Sequence, residues 1–571
     1  MKTELRQLFR EAIAAALPQY ANAIVEVTRP KHAAHGDYAC NIALLLAKST
    51  GRAPRELAAL IQANLPPSSL IEKTEIAGAG FINVFLSPAA KQQVVKTILA
   101  EEARFGSSNL GASKKILVEF VSSNPTGPLH IGHGRGASIG ASLCNVLEAA
   151  GYAVTREYYV NDAGRQMDIL ALSTWLRYLE LNGINVPFPA NAYQGRYVQD
   201  MGRQIFLAHA DRYVHQPWTV LKDLPPEEGE AYLDGLIANA KNLLGQDYAY
   251  IHDFALTEQL GDIRNDLMEF GVDFDSWFSE KSLFDSAMVE RTMQRLQDSG
   301  YVYEQEGAYW LRSSAFGDEK DRVLQRSNGQ YTYLVPDIAY HLNKFERGFD
   351  TLINIWGADH HGYIQRLQAA LQALHCDVNK LSVAWVQFAV LYRNGVKASM
   401  STRSGEFVTL RELRQEVGND AARFFYVMRK CDQHLDFDLD LAMSRSNENP
   451  VYYIQYAHAR ICSVLALWEG EVEALADARL DSLQLGHELS LLQRLAEYPE
   501  IVQTAAQELS PHHIAYYLQS LAADLHSYYN AQQFLVDDEE TRNAKLALVA
   551  ATRQVLANGL DLLGVSAPEK M

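Results

Sequence analysis

The chain has 571 residues, 48% hydrophobic and 21% charged, ordinary values for a soluble globular protein that needs about three or four domains. No stretch approaches the roughly 18 uncharged apolar residues of a membrane helix, so no membrane partner is expected. A net charge of −18 argues against indiscriminate binding of nucleic acid and against DNA as a partner, while leaving room for a local basic surface that meets phosphates.

In chain order, the start "MKTELRQLFREAIAAALPQY" carries Glu4 and Glu11 in an amphipathic pattern and lacks the apolar run of an export signal. Residues 1–92 read as a small α/β unit. Within it, "NIALLLAKSTGRAPRELAALIQANL" has helical spacing and "TEIAGAGFINVFLS" reads as a glycine-bounded strand. The polar stretch "EEARFGSSNLGASKK" is a linker. "ILVEFVSS", Ile116 to Ser123, predicts a buried parallel strand, ended by Pro125, Gly127 and Pro128. "GASIGASLCNVLEAAGY" then predicts a helix closing at Gly151. Residues near 175–300 mix helical pattern with Pro-containing loops and read as an insertion. Strand signals return at "GAYWLRS", "GQYTYLVP" and "TLINIWGAD". This order predicts a catalytic unit over 110–446 with a split, doubly wound parallel sheet, whose ligand site lies at the carboxyl ends of strands. From 447 to 571 strand signals vanish. Val451, Ile454, Ala457, Ile461, Val464, Leu465 and Trp468 recur at helical spacing, which predicts an all-α bundle.

The five cysteines, Cys40, Cys144, Cys376, Cys431 and Cys462, include no CxxC pair, which fits reduced thiols in a cytoplasm and no structural zinc. The densest punctuation is "SSNPTGPLHIGHGRGASIG", Ser122 to Gly140, with two histidines three apart. A zinc site needs further ligands and more often spaces two helical histidines by four. A dinucleotide fingerprint fails because Ile139 stands where its third glycine belongs. A bare glycine-rich turn is the bland reading. A nucleotide cradle fits better: a helix following a strand aims unpaired amides and its positive end at phosphate. Gly132, Gly134 and Gly136 would let that ligand approach the backbone, and His130 and His133 would donate hydrogen bonds to a phosphate gaining charge.

"HIGH", His130 to His133, preceded by "SSNPTGPL", resembles the first signature of class I aminoacyl-tRNA synthetases. "VKASMSTRSGEFVTL" carries Ser399, Met400, Ser401, Thr402 and Arg403 where the second signature, KMSKS, would sit. Its "MSTRSGEFVTL" resembles the arginyl-tRNA synthetases, many of which lack the second lysine. The resemblance implies a Rossmann-like catalytic domain, an added N-terminal domain that contacts the tRNA elbow, and a helical anticodon-binding domain. It implies ATP, carried with Mg²⁺, as the nucleotide, and His130, Gly132, His133, Gly134, Gly136, Ser399, Met400 and Ser401 as its contacts. Many relatives keep a lysine where this chain has Gly127; Lys397, Arg403 or Arg135 would supply the missing cation.

A buried guanidinium demands acidic partners in a fork geometry. The resemblance puts Glu119 and Asp337 on the arginine guanidinium, Tyr333 in support and Asn124 on the α-amino group, with Ser123, His130 and His360 completing the arginine site. The helical stretch "NPVYYIQYAHARICSVL" and the ending "LLGVSAPEKM" resemble the anticodon-binding domain of this group. Phe81 and Asn83, and Tyr452, Tyr456 and Met571, are the tRNA-contact residues the likeness implies, although an aromatic stripe at helical spacing more often packs. The expected activity is arginine–tRNA ligation by a cytoplasmic monomer, with tRNA needed for activation. The alternatives are a small nucleotidylyltransferase sharing HxGH, a non-catalytic tRNA-binding paralogue, and another amino acid specificity within class I.

Overall fold

The computed structural model describes residues 1–30, 32–225, 229–398, 408–468 and 470–571. The N-terminal unit is a four-stranded antiparallel sheet of Val27–Thr28, Tyr38–Cys40, Phe81–Leu86 and Ile71–Ala77, in that spatial order. Leu5 and Phe9 of the helix Lys2–Ala16, Leu57 and Ile61 of the helix Pro54–Ala63, and Ile82 and Val84 of the sheet form its core. Two sequence expectations change here. The long helical pattern is two helices, Ile42–Thr50 and Pro54–Ala63, because Gly51 ends the first in a left-handed cap (φ 68°) and Pro54 opens the second. The single strand is a hairpin, folded at Gly78 and Gly80, both at positive φ.

The catalytic sheet has five parallel strands in the order Leu381–Val386, Thr351–Gly357, Lys115–Glu119, Ala153–Val160, Ser276–Ser279. Lys115–Glu119 comes first in the chain yet lies centrally, so the winding reverses between it and Thr351–Gly357, the switch point where doubly wound sheets bind ligands. Ser276–Ser279 falls inside the stretch read as insertion. It is the edge strand of the catalytic sheet, and at four residues, "SWFS", it is too short for its two aromatics to stand out among helices. The first strand also ends early, at Glu119. Val121 and Ser122 both take left-handed backbone (φ 68° and 43°), an unfavourable state for a β-branched residue, and turn the chain out of the sheet. "GQYTYLVP" is no strand beyond one bridge at Tyr331; Leu334–Glu346 is a helix, with Pro336 in the first turn where its missing N–H is not needed.

The C-terminal helices Pro450–Leu467, Gly486–Gln507, His512–Ala531 and Glu539–Leu562 form the expected bundle. Its core is continuous with the catalytic core: Leu143 of the helix Ile131–Ala149, Phe424 and Leu546 share one buried cluster. No helix among the described residues is long and apolar enough to cross a membrane.

Candidate active site

The helix Ile131–Ala149 opens on His130, which has extended backbone and serves as its cap. The Gly132 N–H donates to His130 Nδ1 (3.1 Å), and the His130 N–H donates to His133 Nδ1 (3.2 Å). An amide N–H can only donate, so each Nδ1 is an acceptor and each neutral ring carries its proton on Nε2. The rings stack at 3.6 Å between centroids, tilted 24°. Burial lowers the His130 pKa, and burial together with the adjacent His130 lowers that of His133 to about 3. The turn thus presents two neutral imidazoles with Nε2–H donors at the positive end of a helix.

Close approach of a ligand does not explain all of the glycines. A Cβ on Gly132 would stand 2.9 Å from the His130 ring, and one on Gly134 would meet Leu410 at 2.7 Å and Tyr426 at 3.0 Å. These two are fixed by packing of protein on protein; only at Gly136 does the missing side chain face open space. The first signature is bonded to the segment that follows the second and to the helix Asn419–Val427. Leu410 N–H donates to the Leu129 carbonyl (2.8 Å), Ile131 N–H to the Val408 carbonyl (3.3 Å), and the Tyr426 hydroxyl to the Ile131 carbonyl (2.8 Å). Ser399, Met400, Ser401 and Arg403 lie outside the described residues. Lys397 is exposed on the short strand Val396–Lys397 that leads to them. Arg135 is not the replacement cation. It is buried, and its guanidinium donates to the carbonyls of Gln387 (2.7 Å), Gln433 (2.8 Å) and Lys430 (3.1 Å), tying the signature helix to its neighbours. Gly127 faces the Tyr197 hydroxyl, which itself donates to the Thr126 carbonyl (2.7 Å).

Beside the turn, a row of polar residues crosses the sheet at the level where the central strand Lys115–Glu119 ends. Asn354, Glu119, Glu157 and Ser276 stand opposite one another in register. Glu119 is not free for a ligand's charge: Lys344 Nζ, wholly buried, lies 2.5 Å from its Oε2, and the Ser122 hydroxyl donates to its Oε1 (2.9 Å). Asp337 is different. Burial pushes its carboxyl up, but His341, Tyr363 and the Lys344 charge outweigh burial and hold its pKa below the ordinary value. Its Oδ2 is buried and has no hydrogen bond of normal length among the described residues, although the Tyr363 hydroxyl stands close enough to the carboxylate to help lower its pKa. Tyr333 does not support it in this state, being 80% exposed; the Tyr363 hydroxyl stands beside Asp337 instead. Asn124 and Asn161 face each other through their amides at 3.1 Å, and the Ser123 carbonyl accepts from the Tyr158 hydroxyl (2.9 Å). His360 is exposed, 3.6 Å from the Asp359 carboxylate, and touches none of these groups.

The residue that sequence reasoning missed is Glu280. It follows the unforeseen strand Ser276–Ser279 and lies close to Tyr159, Asp162 and Asp337. Burial raises its pKa to about 7, with the two aspartates adding to the rise. Asp162 is committed elsewhere, accepting from the Ser279 hydroxyl (2.6 Å) and the Lys281 N–H (2.9 Å). Finding Glu280 from sequence would have required seeing that "SWFS" belongs to the sheet. Asp337 and Glu280 thus lie near enough for the charge of Asp337 to raise the pKa of Glu280.

Residues 3–86 match the family described as "Arginyl tRNA synthetase N terminal domain", 94–204 and 236–434 match "tRNA synthetases class I (R), catalytic domain", and 454–571 match "DALR anticodon binding domain". The arginine–tRNA ligase of Nitrosospira multiformis is 64% identical over 96% of this chain and 95% of its own length. That of an Azoarcus species is 62% identical over 100% of this chain and 99% of its own.

The chain belongs to the arginyl-tRNA synthetase family.

The solved arginyl-tRNA synthetase of Thermus thermophilus, 24% identical, shares the fold with a TM-score of 0.74 over 99% of this chain and 100% of that one. The residues expected to contact tRNA are unevenly presented. Phe81 is 41% exposed at the hairpin, whereas Asn83 is 4% exposed within the sheet. Tyr452 and Tyr456 are half-buried and stacked at 5.9 Å, with the Arg460 guanidinium 5.4 Å from the Tyr456 ring and 3.6 Å from that of Tyr529. Met571 is exposed.

Proposed function

We propose that this chain joins arginine to its tRNA in two steps, at the site between Asp337 and the stacked histidines. In the first, an arginine carboxylate oxygen attacks the α-phosphorus of ATP; a new P–O bond forms and the bond to pyrophosphate breaks. His130 and His133 donate from Nε2 as charge grows on the phosphates. Both rings stay neutral and fixed, so the donors need no reorganisation when the reaction occurs. In the second step the 2′-hydroxyl of the terminal adenosine attacks the arginyl carbonyl, and AMP departs. Lys397 and Arg403 are proposed as the cations that balance pyrophosphate, with Ser399, Met400 and Ser401 beside the nucleotide. Mg²⁺, arriving with ATP, supplies charge neutralisation on the leaving group; among the described residues there is no cluster of three metal-ligating side chains.

The observation that carries the reading is the orphaned Oδ2 of Asp337 next to the Glu280 carboxyl. A buried acceptor with no partner is costly, and a cationic fork removes that cost. Asn124 holds the α-amino group in this proposal, Ser123 lines the same site, and Tyr333 and His360, both exposed in the free protein, swing over the bound ligand. Glu119 acts through Lys344 rather than on the ligand. Phe81 and Asn83 contact the tRNA elbow, and Tyr452, Tyr456 and Met571 the anticodon. All five cysteines are free thiols, which suits the cytoplasm, and we propose a monomer in which tRNA precedes activation. Pyrophosphate exchange across the twenty amino acids, with and without tRNA, tests this. Exchange with arginine alone, and only when tRNA is bound, is expected. Exchange with another amino acid overturns the specificity, and exchange without tRNA overturns the order.

A further inference from the structure

Behind the pocket, one face of the helix Leu334–Glu346 carries Asp337, His341 and Lys344, spaced by four and three residues. They are linked through Asn354 of the neighbouring strand. Lys344 Nζ lies 2.9 Å from Asn354 Oδ1 and 2.5 Å from Glu119 Oε2. Asn354 Nδ2 lies 2.8 Å from His341 Nε2. His341 Nδ1 lies 2.9 Å from the Asp337 carbonyl oxygen and 3.1 Å from its carboxylate Oδ1.

The proton positions in this chain follow from its two ends. An ammonium only donates, so the asparagine oxygen faces Lys344 and its NH₂ faces the histidine. His341 Nε2 must then accept. At the other end a backbone carbonyl only accepts, so His341 Nδ1 must donate. Both ends give one tautomer, neutral and protonated on Nδ1, and no other arrangement satisfies the three residues. That N–H is shared with Asp337 Oδ1 and leaves Oδ2 unpartnered.

We infer that Lys344, Asn354 and His341 are positioning residues that turn the Asp337 carboxylate so that Oδ2 meets the guanidinium of arginine, an inference that rests on the arginine pocket proposed above. They touch no substrate. Lys344 matters twice: it neutralises Glu119 and fixes the amide that fixes the imidazole. Glu119, although in the row of pocket residues, is the far anchor of this chain.

Two substitutions of His341 separate positioning from filling space. The amide of His341→Asn falls where Nδ1 was and keeps a donor for Asp337; that of His341→Gln falls where Nε2 was and loses it. His341→Gln is expected to raise the KM for arginine about tenfold, the scale of one charge-assisted hydrogen bond, with kcat and the KM for ATP within about twofold. His341→Asn is expected to stay within about threefold of the parent in all three. Equal effects of the two substitutions overturn the inference. Nitrogen-15 spectra of the histidine side chains in the unsubstituted protein report the tautomer directly: the His341 signal, assigned as the one missing in His341→Asn, should show a protonated Nδ1 and a bare Nε2. An Nε2–H tautomer overturns the inference. Asp337→Asn separates the two levels. If it leaves arginine's KM unmoved, the pocket reading itself fails; if it raises KM while the His341 pair does not differ, only the positioning chain fails.

Discussion

The signature turn and the amino acid pocket hold their polar groups by opposite means. In the turn each imidazole is satisfied within four residues, by the backbone N–H of His130 or Gly132. In the pocket Asp337 is braced through His341, Asn354 and Lys344 to Glu119, a residue 225 positions from Lys344 in the chain. A locally satisfied group can be altered without disturbing its surroundings, whereas a group held by a long-range chain transmits any change along it. Damage to the turn should therefore appear in turnover, and damage to the pocket in the affinity for arginine.

The largest effect expected is at His133. Asparagine there keeps an acceptor near the position of Nδ1, so the cap on His130 survives while the Nε2–H is deleted. His133→Asn should lower kcat for adenylate formation by about 100-fold or more, the scale for one transition-state donor, with thermal stability close to the parent's. If kcat holds while the melting temperature drops, the ring is only a cap. Next comes Asp337→Asn, expected to raise the KM for arginine by about ten- to a hundredfold, as charged hydrogen bonds become neutral ones, and to leave the KM for ATP alone. Equal changes in both constants would show that turn and pocket are not separable.

The same contrast governs what can be read from sequence. The turn was legible because its logic is local: Pro128, His130 and Gly132 to Gly136 announce a strand-to-helix turn, even though packing, not ligand approach, explains Gly132 and Gly134. The bundle and the parallel sheet were legible from hydrophobic spacing. The pocket was legible only through likeness to a family, which supplied Asp337 but not Glu280, His341 or Asn354. Glu280 follows an edge strand of only four residues, too short for its two aromatics to stand out among helices, and nothing local marks Lys344 and Asn354, which the fold buries together. Tyr333 shows the converse, a residue named by likeness whose side chain stands in solvent.

A smaller effect sharpens the pocket side of the contrast through pH. The Glu280 carboxyl, at about 7 in the free protein, must be ionised to attract a guanidinium. Its protonation removes that charge as pH falls through 7, so affinity is present above this value and lost below it. Between about pH 8 and pH 6 the KM for arginine should rise about tenfold, one decade per unit below the pKa, and Glu280→Gln should flatten the curve at the weaker level. A slope that survives in Glu280→Gln would assign the titration to another group. His133, already at about 3, should contribute nothing in that range, so kcat should stay flat where KM does not.

The smallest effect is expected at Tyr333. With its side chain 80% exposed, the free protein has little packing to lose, and Tyr333→Ala should change stability by no more than about 0.5 kcal/mol. Its contribution arises only if the ring closes over bound arginine, where one shielded contact corresponds to about a threefold rise in the KM for arginine. Closure makes a second demand that a static contact does not: arginine should quench or shift the fluorescence of a reporter at position 333, installed as Tyr333→Trp, and Asp337→Asn should abolish that response at the same arginine concentration. A reporter that responds equally in both backgrounds would show that the ring senses the pocket mouth without covering the ligand, leaving the hydroxyl of Tyr363 as the tyrosine that supports Asp337.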